Sequence, residues 1–179
     1  MIALEILGVV EVRVGSGIYV LGNQDLKIGS ETRFMGPGAL ELLEARKEIE
    51  STNVHMAAQR IEKDCLKQLG QALDKMLLEN MEGAEADREF HLLIAKATGN
   101  SVLEKVTGFL WDKQQNSPMW TKLLEMIKVR KLHTFIHDDH QRILDCLRRK
   151  ESEEAQFVMR EHLDHARTIY FDLIDNEVD

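Results

Sequence analysis

From residue 39 to the end of the chain, apolar residues recur every three or four positions. This spacing is typical of α-helices that bury one face. Gly83, Gly99 and the segment 116–118 interrupt the pattern and separate one predicted helix from the next. The predicted helices span residues 39–60, 62–80, 84–98, 101–115, 118–128, 129–149 and 152–176. Because the connections are short, we expect an all-α fold, an antiparallel bundle of six to seven helices.

The first 38 residues follow a different pattern. Residues 3–7 have the composition of a helix end, and residues 10–14 and 18–20 alternate apolar and polar side chains around a Gly-Ser-Gly segment. Two alternating runs joined by such a turn predict a β-hairpin. Residues 23–38 are rich in glycine and lack periodicity. The sequence therefore predicts three parts, namely 1–22, a linker at 23–38, and a helical domain at 39–179.

Composition narrows the class of protein. The chain has 179 residues, 44% of them hydrophobic and 30% charged, which suits one well-packed core. A net charge of −8 disfavours a nucleic-acid-binding surface over the chain as a whole. Cys65 and Cys146 lie within helical patterns and are expected to be reduced thiols. Without a signal peptide or a run of about 18 apolar residues, the chain is expected to be cytoplasmic.

Two polar side chains interrupt the apolar face of the helix predicted at 84–98. Asp87 and His91 are four residues apart, so they lie one above the other on one face of the helix. Phe90, Ile94 and Ala97 lie on or beside that face. A carboxylate and an imidazole that point toward a core require partners, because unpaired buried polar groups are costly.

Two later helices each place a histidine at an inward position. His140 fills a gap in an apolar stripe that includes Ile136 and Ile143, and His162 does the same in the last helix. Each histidine lies eleven residues from Glu151, which is in the turn between the two helices. In an antiparallel hairpin the two imidazoles are therefore expected to lie level with each other.

Asp87, His91, His140 and His162 together offer one carboxylate oxygen and three imidazole nitrogens. This donor set suits a divalent metal, first Zn²⁺, with Ni²⁺ and Mn²⁺ as alternatives. Such a site leaves coordination positions open for water or a small carboxylate. The competing interpretation is that these histidines are hydrogen-bonded core residues without a metal. The remaining histidines, His55, His133, His137 and His165, are expected at the surface or beside the site.

Arg46 lies on the inward face of the helix predicted at 39–60. Its guanidinium could bind a carboxylate through two parallel hydrogen bonds, or it could form an internal ion pair with Glu50, four residues later. Two other functions remain open at this point. One is a metal-dependent hydrolase with Glu50 as the inward base, and the other is a purely structural dimerisation module.

Several segments resemble one family of transcriptional regulators. Residues 3–20 resemble the end of the recognition helix and the wing of a GntR-type winged helix-turn-helix. The helical part resembles the FCD effector domain of the FadR subfamily of GntR regulators. The matching segments are Leu-Glu-Ala-Arg at 43–46, the Asp87-x-x-x-His91 pair, Ala-Thr-Gly-Asn at 97–100, His-Gln-Arg-Ile at 140–143 and Met-Arg-Glu-His-Leu at 159–163.

The resemblance implies the same metal ligands that periodicity selected: Asp87, His91, His140 and His162. It also implies a homodimer in which a small organic acid binds beside the metal and contacts Arg46 and Asn100. For Asn100 the alternative is a helix N-cap. The segment from Trp111 to Trp120 resembles regulators that sense hexuronates, although tryptophans in helices are also common in cores and dimer contacts.

The resemblance also bears on DNA binding. A complete winged helix-turn-helix has three helices before the wing, and the chain begins near the end of the third. We therefore expect a truncated DNA-binding domain and operator binding only in a full-length form. The residues that remain for DNA contacts are Arg13, Gly15 and Gly17, which would contact phosphates or the minor groove.

Overall fold

A computed structural model of the chain describes residues 10–13, 17–20, 38–77, 81–116, 120 and 133–175. The chain divides into two compact units, Met1–Met35 and Gly36–Asp179. Apart from Gly38, the predicted linker lies outside the described residues. No helix among the described residues is long and apolar enough to cross a membrane.

The first unit contains two short strands, β1 (Val10–Arg13) and β2 (Gly17–Val20). They pair antiparallel, with Val10 opposite Val20 and Arg13 opposite Gly17. Gly15 lies outside the described residues, and so does the helix end predicted at residues 3–7. The identification of this pair of strands as a wing stays a prediction.

The second unit is all-α, as the sequence predicted. The part of it that the structure describes contains six helices: α1 (Ala39–Arg60), α2 (Lys63–Met76), α3 (Met81–Ala97), α4 (Ser101–Gln115), α5 (His133–Arg149) and α6 (Ser152–Asp175). The helix predicted at 118–128 lies outside the described residues except for Trp120. Two predicted boundaries differ from the observed ones, because α2 ends at Met76 instead of residue 80 and α3 begins at Met81 instead of residue 84. Gly83 does not precede α3 but lies in its first turn. The backbone N–H groups of a first turn make no hydrogen bonds within the helix.

Local signals explain where several helices begin and end. Asn100 caps α4, because its side-chain oxygen accepts hydrogen bonds from the backbone N–H groups of Val102 and Leu103. At the end of α5, Lys150 adopts a left-handed conformation with φ of 58°. The N–H of Glu151 donates to the carbonyl of Cys146, a pattern that closes a helix and reverses the chain. The reversal sets α6 beside α5.

The described inward positions predicted from periodicity are buried on α1 and fully or partly buried on α5 and α6. On α1 these positions are all 5% exposed or less, and they include Arg46 and Glu50. On α5 and α6, His140 and His162 interrupt faces that otherwise contain Ile143, Leu147, Ala155 and Val158. Cys65 and Cys146 are free thiols, as expected for a chain without a disulfide framework. The core therefore contains a group of polar side chains that its apolar residues surround.

Candidate metal centre

Asp87, His91, His140 and His162 come together inside the bundle. The first two lie on α3, the third on α5 and the fourth on α6. One potential donor atom from each residue lies within 4.8 Å of the donor atoms of the other three. The rings of His140 and His162 have centroids 4.3 Å apart, so the two imidazoles lie level across the α5–α6 hairpin as predicted. The cluster could hold a metal ion.

Three of the donor atoms form a compact triangle. His140 Nε2 lies 2.9 Å from Asp87 Oδ1 and 3.2 Å from His91 Nε2, and His91 Nε2 lies 3.4 Å from Asp87 Oδ1. Donors at about 2.1 Å from a metal are separated by about 3.0 Å at octahedral edges and about 3.4 Å at tetrahedral edges. The triangle has these dimensions. Asp87 Oδ1 is also buried without a hydrogen bond of good geometry, which is the environment of an atom that lacks its main partner.

Each imidazole of the cluster has an oxygen atom near its other ring nitrogen, Nδ1. His91 Nδ1 is in close contact with Glu50 Oε2, and His140 Nδ1 lies 2.7 Å from the carbonyl oxygen of Ile136. His162 Nδ1 lies 3.6 Å from Asp139 Oδ2. Metal-binding histidines usually donate this N–H to a carboxylate or a carbonyl, which fixes the tautomer. The surroundings of His91 and His140 therefore fit imidazoles whose Nε2 lone pairs face a common point, whereas the distance at His162 is too long for a hydrogen bond.

Burial and neighbouring charges set the protonation states. Burial alone raises the pKa of Asp87, but contacts with His140 and His91 outweigh it and hold the pKa well below its usual range. Burial lowers the pKa of His162 to about 4, and His140 adds to the effect. Burial also acts to lower the pKa of His91, but the charges of Glu50 and Asp87 outweigh it and raise this pKa. Asp87 is thus ionised and His162 neutral at pH 7, the forms that bind metals.

Arg46 is adjacent to this cluster and forms the ion pair with Glu50 that the sequence left open. Nε donates to Glu50 Oε1 at 2.6 Å, Nη2 donates to Oε2 at 3.3 Å, and Nη1 donates to Gln114 Oε1 at 2.8 Å. The guanidinium carbon lies 3.8 Å from the centroid of the Trp111 ring, a cation–π contact. Burial raises the pKa of Glu50, but Arg46 and His91 outweigh it, and the pKa falls to about 2. Because both carboxylate oxygens of Glu50 contact Arg46 or His91, Glu50 is poorly placed to act as a hydrolytic base.

A cavity that is partly open to solvent adjoins the cluster. Arg46, Asp87, His162 and Trp120 are among the residues that line it. The two tryptophans therefore have different environments. Trp111 is fully buried beneath Arg46, whereas Trp120 is both a core residue and part of the cavity wall. A small molecule in this cavity would contact the guanidinium and the donor cluster together.

Other predicted residues lie elsewhere. Asn100 caps α4 and is not among the residues that line the cavity, so its effector role stays a prediction. His137 and His55 are half-buried outside the donor cluster, and the side chain of His133 lies outside the described part. The side chain of Arg13 is likewise outside that part. The DNA contacts of Arg13 and Gly17 therefore stay predictions.

Sequence reasoning missed Asp139. Its carboxylate is 4% exposed and accepts a hydrogen bond of 2.7 Å from His165 Nδ1. Burial raises the pKa of Asp139, but the contacts with His162 and His165 outweigh it and lower the pKa. Asp139 directly precedes His140 and therefore lies off the stripe that identified the histidines. The spacing of His165, three residues after His162, was the signal available for this side of the site.

Comparisons with known proteins give a consistent result. The family model of the FCD domain matches residues 41–165. The Uxu operon regulator of Haemophilus influenzae is 34% identical over 180 residues, which cover 99% of this chain and 68% of that protein. The Exu regulon transcriptional regulator of Escherichia coli K12 is 35% identical over 175 residues, which cover 96% of this chain and 67% of that protein.

Solved structures share the fold. McbR/YncC of Escherichia coli superposes with a TM-score of 0.66 at 20% identity, covering 96% of this chain and 76% of that one. A GntR-family transcriptional regulator from Pseudomonas syringae superposes with a TM-score of 0.62 at 17% identity, covering 98% and 69% respectively. At these identities the likeness concerns the fold alone.

Proposed function

The chain belongs to the FCD domain family, the effector-binding domains of GntR-type transcriptional regulators, and we propose that it senses a sugar acid beside a bound divalent metal. The matched proteins are regulators rather than enzymes. The observation that carries the proposal is the convergence of four donor atoms within 4.8 Å of one another.

The metal ligands in this proposal are Asp87, His91, His140 and His162. Zn²⁺ is the first choice because imidazole nitrogen and carboxylate oxygen suit it, while Ni²⁺ and Mn²⁺ suit the same donors. When bound, the ion supplies positive charge and open coordination positions for a carboxylate. The protein holds the His91 and His140 imidazoles in place through Glu50 and the backbone carbonyl of Ile136.

Arg46 provides the second contact for the effector carboxylate. Among the described residues, Arg46 donates three hydrogen bonds, two to Glu50 and one to Gln114. A guanidinium has five N–H donors, so two remain for a ligand in the cavity. Packing against Trp111 and the bonds to Glu50 fix the orientation of the group in advance, which reduces the entropic cost of binding.

A hexuronate is the preferred effector class. It combines a carboxylate with a ring that has hydroxyl groups and apolar faces. The cavity offers Arg46 for the carboxylate and Trp120 for a ring face. The relatives named as Uxu and Exu regulators, together with the resemblance of the segment from Trp111 to Trp120, favour the same class.

The regulatory output would pass through a dimer and a DNA-binding domain. We propose that residues 39–179 bind effector and metal, that 23–38 is a linker, and that 1–22 contributes a wing. Arg13, Gly15 and Gly17 would make phosphate or minor-groove contacts with DNA. Effector binding would shift the population of bundle arrangements, which repositions the DNA-binding domains of the homodimer.

The first experiment is elemental analysis of the purified protein and of two single-histidine variants. His140→Ala removes a donor, whereas His137→Ala removes a half-buried histidine of the same helix outside the donor cluster. We expect one metal per chain in the wild type and in His137→Ala, and a sharp loss in His140→Ala. Absence of metal from all three proteins after incubation with Zn²⁺ would refute the metal site.

A second experiment tests the effector class. Calorimetry of the Zn²⁺-loaded protein with D-galacturonate and D-glucuronate should detect binding, and Arg46→Lys should weaken it by about tenfold or more, because lysine cannot form the bidentate fork. Equal affinity in Arg46→Lys would exclude the proposed carboxylate contact.

A further inference from the structure

A second carboxylate–imidazole pair lies on the wall of the cavity. Asp139 on α5 and His165 on α6 both line it, together with Arg46. His165 Nδ1 and Asp139 Oδ2 are 2.7 Å apart. Neither residue belongs to the four-donor cluster. The pair therefore presents polar atoms to whatever occupies the cavity.

Asp139 has unused capacity to accept hydrogen bonds. Its Oδ2 atom contacts His165 and lies 3.6 Å from His162 Nδ1. Its Oδ1 atom lies 3.6 Å from Arg142 Nη1, which is too long for a hydrogen bond, and no other hydrogen bond to Oδ1 is formed within the described part of the chain. An ionised carboxylate that is 4% exposed and lines a cavity is well placed to accept an O–H donor from a ligand.

The pair lies beside the donor cluster and lines the same cavity as Asp87 and His162. His165 lies three residues after His162 on α6, a rise of about 4.5 Å along the helix axis. Arg46, the group that would bind a ligand carboxylate, lines the same cavity. A sugar acid has hydroxyl groups along its carbon chain, so an acid held by its carboxylate in this cavity would still have hydroxyl groups for Asp139 and His165.

Apolar side chains complete the cavity. Ile169 and Ala166 follow His165 on α6, and Trp120 adds an aromatic surface. A sugar ring has hydroxyl groups at its edge and C–H groups on its faces, so it needs acceptors and apolar surface side by side. An unsubstituted carboxylate with the same number of carbons has no O–H group that could donate a hydrogen bond to Asp139.

We propose that Asp139 and His165 form a hydroxyl-binding subsite, which makes the cavity selective for polyhydroxylated acids over acids that lack hydroxyl groups. The inference rests on the proposed sensor function, since it assumes that an acid binds beside Arg46. It assigns specificity to residues that neither bind the metal nor contact the carboxylate.

The test compares two acids on three variants of the Zn²⁺-loaded full chain. D-galacturonate has the hydroxyl groups, and hexanoate has six carbons and a carboxylate without them. The variants are Asp139→Asn, His165→Ala and the control His137→Ala. By calorimetry we expect Asp139→Asn and His165→Ala to weaken galacturonate binding by about tenfold or more, because the first removes the charge of the acceptor and the second removes the imidazole paired with it. Hexanoate affinity and zinc content should stay within about twofold, and the control should match the wild type.

Several results would overturn the subsite. Equal losses for both acids, or a fall in zinc content, would mean that Asp139 acts only by holding His162. Unchanged galacturonate affinity in both variants would mean that neither residue contacts the ligand. If the wild type binds neither acid while retaining zinc, the sensor function itself fails and the subsite fails with it. His165→Ala is decisive should Asp139→Asn not fold, because the His165 side chain is 38% exposed and not part of the core.

Discussion

Two glutamates of helix α1 form ion pairs with arginines, with similar geometry but in opposite surroundings. Arg46 binds Glu50 through contacts of 2.6 and 3.3 Å, and both side chains are 3% exposed or less. Arg160 of α6 binds Glu48 through contacts of 2.8 and 2.6 Å, with side chains 36% and 61% exposed. Only two positions along α1 separate the glutamates. The difference in burial gives the two pairs different roles.

Water and salt screen the attraction within the exposed pair, so this pair adds little to the free energy of unfolding despite its good geometry. The buried pair has lost its hydration, and such pairs are often no more stable than apolar side chains of the same volume. Glu50 also contacts His91, and Arg46 contacts Gln114 and Trp111. In the proposed site the buried pair would therefore orient the His91 imidazole and the Arg46 guanidinium. Four predictions test this contrast.

The largest effect is expected from Glu50→Ala. The change leaves the Arg46 charge buried without its partner and removes the acceptor beside His91 Nδ1. We expect the free energy of unfolding to fall by about 3–5 kcal/mol in urea denaturation. Adding Arg46→Met to the same chain should recover part of the loss. A loss below about 1 kcal/mol would show that the pair is not desolvated as described.

Glu50→Gln keeps the shape of the side chain but removes its charge. The amide holds the His91 imidazole less strongly, so we expect the affinity for Zn²⁺ to fall by about 10–100-fold. Competition with a chromophoric chelator measures the change. Glu48→Gln is the matched control on the same helix, and equal affinities in the two variants would exclude an orienting role for Glu50.

Asn100→Ala tests a polar contact that is exposed but well defined. The side chain satisfies the first N–H groups of α4, so its loss should lower the free energy of unfolding by about 1 kcal/mol. Asn100→Ser, which can still cap the helix, should retain most of that stability. Galacturonate affinity is measured in parallel, and a loss in both variants would establish the effector role implied by the family resemblance.

The smallest effect is expected from Glu48→Gln. Because water surrounds the pair with Arg160, the denaturation midpoint should stay within experimental error of the wild type at low salt and at 1 M salt. A clear loss of stability at low salt that disappears at high salt would mean that the exposed pair contributes more than its surroundings suggest.

The sequence was most informative where one helix defines a face. His140 and His162 were found because each interrupts an apolar stripe, and Asp87 and His91 because their spacing of four aligns them. The contact between Glu50 and His91 joins α1 to α3 and has no signature within either helix. Asp139 was missed because a residue next to His140 lies about 100° around the helix from it. Packing between helices brings such residues together, and a single sequence contains little information about it.

The distribution of the four donors along the chain has a kinetic consequence. His140 and His162 lie on the two helices of the terminal hairpin, whereas Asp87 and His91 lie on α3, which precedes that hairpin by more than thirty residues. An ion bound to all four would fasten the hairpin to the earlier part of the bundle. The hairpin could then separate from the rest of the bundle only when the ion dissociates. The rate of metal transfer to a chelator would therefore equal the rate of the slowest opening of the domain.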